Sequence, residues 1–83
     1  MGKEKKPELL ALGQALRILR KAGQLTQEAL SETSGVDRSY ISELENGEKS
    51  PSFLVILSLT RALGVNTVTL MEEYEKQRNT LDA

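Results

Sequence analysis

Neither cysteine nor histidine occurs among the 83 residues. Without cysteine there is no disulfide framework, no thiol nucleophile and no thiolate zinc site. Without histidine the commonest general base and the commonest transition-metal ligand are missing. Catalysis would fall to Ser, Lys, Tyr or carboxylates. Here these sit at surface spacing with no triad-like pattern, so no enzyme, no metal site and no cofactor is expected. Tryptophan is also absent, and the aromatics are two Tyr and one Phe. No apolar run approaches the length of a membrane span. The first residues, MGKEKKPELL, are charged but lack the apolar stretch of a signal peptide. The expected setting is the cytoplasm, without membrane contact.

The net charge of −1 hides an asymmetry. Residues 1–25 set Lys3, Lys5, Lys6, Arg17, Arg20 and Lys21 against Glu4 and Glu8, a balance of +4. Residues 26–83 carry five basic and ten acidic groups, a balance of −5. A fold that gathers the positive groups on one side still yields a basic face.

Polar and apolar residues nowhere alternate long enough for a sheet. Helical spacing recurs instead, punctuated by Gly and Pro. Leu9, Leu12, Leu16 and Leu19 form one stripe of a first helix, which starts at Pro7 or Glu8 and ends at Ala22. Gly23 is suited to a left-handed stop. Thr26 caps a second helix ended by Gly35, with Leu30 inward. Asp37 caps a third, whose core face is Ile41 and Leu44. Ser50-Pro51-Ser52 opens a fourth, apolar enough to be central or to cover a second face against a partner. Asn66 or Thr67 caps a fifth. The expected class is all-α, five compact helices. A flexible basic tail is expected over 1–7, the domain over 8–76, and a frayed end over 77–83.

Residues 27–46, QEALSETSGVDRSYISELEN, carry the functional signal. Two short helices joined by a tight Ser34-Gly35-Val36 turn cross steeply and leave the outer face of the second exposed. That face offers Arg38, Ser39, Ser42 and Glu43, all able to hydrogen-bond, in a groove about 12 Å wide. Ser39 and Ser42 are equally ordinary surface residues, and Glu43 either accepts a hydrogen bond from an amino group or repels wrong contacts.

The stretches LGQALRILRKAGQLTQEAL, GVDRSYISELENGEKSPS and LTRALGV resemble the lambda-repressor-like, Xre-type helix-turn-helix family, over Leu12 to Met71. Two departures are small: Ser31 stands where Ala is frequent, and Ser34 where an apolar residue is frequent. They are expected to loosen the packing between the second and third helices.

The resemblance implies a DNA-binding transcriptional regulator, a repressor acting by occupancy. Its third helix would lie in the major groove of duplex DNA, and a homodimer would bind a pseudo-palindrome. On DNA the protein would be nucleoid-associated. Arg38 would read bases, with Ser39, Ser42 and Glu43 beside it. Phosphate contacts would come from Thr26, Gln27, Asn46 and Lys49, and from the Tyr40 hydroxyl unless its ring serves only the core edge. Arg20 would pair with Glu45 beneath the DNA-facing surface, while Arg17 is read as a solvated charge. Lys3, Lys5 and Lys6 suit a solubilising tail better than an arm along DNA.

Leu54, Val55, Val68, Met71 and Tyr74 supply apolar surface for the dimer interface. Glu28 and Glu32 form an acidic spot available to RNA polymerase, and a regulatory protein is another conceivable partner. Restriction-modification controllers and DNA-binding antitoxins share this module. The competing reading is a protein-interaction module of the same fold with weak or no DNA binding.

Overall fold

The computed structural model describes residues 5–82. They form five helices: α1 (Pro7–Ala22), α2 (Gln27–Ser34), α3 (Arg38–Glu45), α4 (Phe53–Leu63) and α5 (Thr67–Asp82). Helix starts follow local chemistry. Pro7 occupies the first turn of α1, where its missing N–H costs nothing. The side-chain oxygens of Thr26, Ser52 and Asn66 accept from the backbone N–H three residues on, at 3.0, 3.2 and 2.8 Å. Each satisfies a helix-start donor that has no partner within the helix.

Three terminations or caps differ from the sequence expectation. Gly23 does not take the left-handed conformation; its φ is −84°, and Gln24 adopts φ 60° instead. Asp37 precedes α3 without capping it through its side chain, because its carboxylate accepts the Ser39 hydroxyl. Residues 77–82, expected as part of a frayed end, are helical: α5 continues to Asp82, and Ala83 lies outside the described residues. There Gln77 donates to Glu73, Thr80 donates to the Lys76 carbonyl, and Arg78 lies 3.9 Å from Glu8 of α1.

The core is built from Ala11, Ala15, Leu16, Leu30, Ile41, Leu44, Leu59 and Leu70. Leu12, Leu19, Val36, Tyr40, Val55, Ile56 and Tyr74 pack around it, half-buried. α5 lies along α1, and α1 also crosses α3. Despite its composition α4 is not central. Only Leu59 and Thr60 are buried on it, and its first turn leaves Phe53 and Leu54 exposed. Among the described residues no single helix is long and apolar enough to cross a membrane.

The crossing of α1 over the end of α3 depends on Gly13. A Cβ there would stand 2.6 Å from the Glu45 carbonyl oxygen, and closer still to that of Leu44. Both obstacles are backbone, so only a separation of the two helices relieves them. Gly47, next along the chain, has φ 76°, and a Cβ there would strike Leu10. Helix propensity alone says that Gly13→Ala stabilises by about 1 kcal/mol. The packing reverses the sign: a net loss of roughly 1–3 kcal/mol is expected, measured as a lower urea midpoint.

Candidate nucleic-acid interface

The turn between α2 and α3 is fastened by the two serines of α2. The Ser31 hydroxyl donates to the Val36 carbonyl at 2.6 Å, and the Val36 N–H donates to the Ser34 hydroxyl at 3.1 Å. Gly35 between them is left-handed, with φ 77°. These serines therefore do not loosen the junction as expected. They satisfy both backbone polar groups of Val36, which α2 and α3 themselves leave without a partner.

Beneath α3, Glu45 is fully buried, its side chain 0% exposed. Arg20 meets it through two parallel bonds: Nε donates to Oε2 at 2.7 Å and Nη2 to Oε1 at 2.9 Å. The third nitrogen of Arg20 donates to the Leu25 carbonyl at 2.8 Å. Gln27 Nε2 donates to the same Oε1 at 3.0 Å, and Arg17 Nε approaches it at 3.4 Å. Arg17 Nη2 also donates to the Asn46 side-chain oxygen at 3.0 Å. Among the described residues no buried side-chain nitrogen or oxygen lacks a partner.

Burial pushes the Glu45 carboxyl up, but the hydrogen bonds from Arg20 and Gln27 outweigh it, and the net pKa lies below the usual carboxylate value. The bond to Glu45 likewise raises Arg20, against its own desolvation.

The outer face of α3 is open. Arg38 and Ser39 are exposed, and Ser42 and Glu43 are half-buried. Among the described residues Arg38 has no ion pair, and the adjacent Asp37 carboxylate is turned to Ser39 instead. Thr26 and Lys49 are exposed at the two flanks. Tyr40 is half-buried against the core. Gln27, expected to contact phosphate, is half-buried and held by Glu45. Asn46 is exposed, but its side-chain oxygen belongs to Arg17 and its carbonyl accepts from Lys5 at 2.8 Å. Lys5 therefore rests on the loop after α3, 3.8 Å from Glu48, rather than in a free tail; Lys3 lies outside the described residues.

Residues 16–70 match the sequence profile of the helix-turn-helix family. The chain belongs to it. Similar solved structures share the arrangement. The restriction-modification controller protein C.AhdI from Aeromonas hydrophila is 42% identical, over 78% of this chain and 98% of that one, with a TM-score of 0.76. The clp gene regulator ClgR from Corynebacterium glutamicum is 32% identical over 95% and 84%, with a TM-score of 0.87. The controller C.Esp1396I, solved as a tetramer in complex with its natural 35 base-pair operator, is 25% identical over 86% and 93%, with a TM-score of 0.80.

Within this helix-turn-helix frame, sequence reasoning misplaced Arg17. It is not a solvated charge but bridges Glu45 and Asn46. The available signal was its position three residues before Arg20, the spacing of neighbours on one helix face. The proposed dimer residues also divide. Leu54 is 72% exposed, and Val68 and Met71 are exposed as well. Val55 and Tyr74 instead pack against the core, half-buried. Phe53, 70% exposed in the first turn of α4, is a further apolar surface residue that the expected interface did not include.

The lowered pKa of Glu45 has a defined consequence for stability. A carboxyl whose folded pKa is depressed contributes stability above its unfolded value, near 4.3, and loses it as pH falls through the folded value. With no histidine to titrate, urea midpoints are expected to stay level between about pH 6 and 8 and to drop below about pH 4. Glu45→Gln should flatten that acid limb.

Proposed function

We infer that the protein is a sequence-specific, duplex-DNA-binding transcriptional regulator. It acts as a repressor and binds a pseudo-palindromic operator as a homodimer, with α3 in the major groove. The observation that carries this reading is the outer face of α3, headed by an exposed Arg38 with no ion pair among the described residues, on a junction fastened by Ser31, Ser34 and the buried Glu45 network. The family match and the operator complex of the similar controller support it.

Arg38, Ser39, Ser42 and Glu43 face the bases. Since the Ser39 hydroxyl already donates to Asp37, its free capacity is as an acceptor. Thr26, Gln27, Tyr40, Asn46 and Lys49 serve the phosphates. Gln27 and Asn46 each retain amide N–H donors beyond the bonds described, so their partners orient them without using them up.

One motif reads only a few base pairs, and two-fold symmetry doubles the contacts. Leu54, Val68 and Met71, with Phe53 added, form the surface for the second copy, while Val55 and Tyr74 support it from beneath. At a promoter, exposed Glu28 and Glu32 of α2 are the acidic pair available to RNA polymerase.

Selection of bound sequences from random duplex DNA tests the function. The expected product is a pseudo-palindrome with half-sites about one helical turn apart, carrying two protein copies in sedimentation. Absence of any enriched sequence, or one copy per site, overturns it.

A further inference from the structure

The cluster under α3 does not balance its own charge. Two guanidinium groups, of Arg17 and Arg20, face the single carboxylate of Glu45. Arg20 is buried and fully committed, through its paired bonds to Glu45 and its bond to the Leu25 carbonyl. The surplus positive charge therefore resides on Arg17, the more distant partner, whose side chain is 35% exposed. The other cation nearby, Lys5, already has Glu48 beside it.

The Arg17 guanidinium is also held in place. One N–H, on Nε, points to Glu45 and one, on Nη2, points to Asn46. A guanidinium carries five N–H donors, so three are left for an outside acceptor. Those donors lie beside the amides of Gln27 and Asn46, at the end of α3 where a phosphate backbone would pass. A planar guanidinium with spare donors matches a phosphate group in both geometry and charge.

We propose that Arg17 is a DNA backbone ligand: its guanidinium, fixed by Glu45 and Asn46, donates to a phosphate of the bound duplex and completes a three-residue clamp with Gln27 and Asn46. Glu45 organises this clamp from below without touching DNA. The contact carries affinity and position but no base identity. This inference rests on the DNA-binding reading above.

The test compares the parent protein with Arg17→Gln, Arg17→Met and Arg17→Lys on the selected operator and on unrelated duplex DNA. Affinity is followed between roughly 50 and 200 mM salt, because each phosphate neutralised releases counterions. Urea melts identify which variants are folded, and Arg17→Met keeps the packing of the aliphatic stem should Arg17→Gln fail to fold. Removing the charge is expected to reduce the salt slope by about one per subunit and to weaken operator and unrelated DNA alike. Arg17→Lys should keep most of the slope. An unchanged slope in the folded neutral variants overturns the proposal, and so does a loss confined to the operator. A parent protein that binds no duplex DNA overturns the DNA-binding reading itself.

Discussion

Replacing Glu45 by Ala is expected to lower the stability of the fold by roughly 3–5 kcal/mol, the range for removing one partner of a buried pair. The loss is large because of what stays behind. Arg20 is buried and would keep only the Leu25 carbonyl, while Gln27 and Arg17 would lose the oxygen on which they converge. An unpaired cation in a low-dielectric site costs more than the pair contributes when intact. Glu72, exposed on α5, is the control, and Glu72→Ala should stay within about 0.5 kcal/mol of the parent. Urea melts at neutral pH separate the two. Equal midpoints would show that Glu45 is not held as described. Since Glu45 also orients Gln27 and Arg17, and Arg17 in turn holds Asn46, any folded Glu45 variant should bind DNA less tightly without a change in base preference.

Arg38→Ala should cost about 1–3 kcal/mol of binding per half-site and relax preference at one symmetric base position. Arg38 is the first residue of α3, the end that enters the groove in the proposed docking. Its forked donors match the two acceptors of guanine, a match that Lys or Ser does not reproduce. The neighbouring Asp37 is the natural competitor for that side chain, but the structure turns its carboxylate to Ser39. Arg38 is thereby free to reach outward. Lys49→Ala, by contrast, should weaken all sequences alike and shrink the salt slope by about one per subunit. Repeating the sequence selection with Arg38→Ala decides the matter: a variant that keeps the parent's full base preference is incompatible with Arg38 as reader.

The polar outer face of α3 was legible because it depends on local spacing. Arg38, Ser39, Ser42 and Glu43 are polar positions of a short helix whose core positions are Ile41 and Leu44, and no distant residue is needed to pick them out. Gln27 was less legible. A polar residue at a helix start reads as a surface amide, and its actual partner is eighteen positions away in α3. Ser31 and Ser34 were misjudged for a related reason. Compared with apolar residues they appear to subtract packing, whereas the turn geometry aims their hydroxyls at the backbone of Val36. The apolar run of α4 was read as a possible central helix, since composition does not say how many faces a helix has covered.

The chain by itself determined five helices, most of their boundaries and the helix-turn-helix at their centre. The causes are short-range: caps at Thr26, Ser52 and Asn66, breaks at Gly35 and Gly64, and an apolar stripe of helical period. Tertiary structure alone decided the sign of the Gly13 effect, the bridging role of Arg17, the docking of Lys5 on Asn46 and the extension of α5 to Asp82 along α1. Each of these rests on contact between residues far apart in sequence. Gly13 matters because the backbone of residues 44 and 45 crosses at that point, and Arg17 because α1 and α2 bring their polar groups to one buried carboxylate of α3. Helical period and capping follow from a residue's own neighbours, whereas burial and charge balance follow from which faces meet.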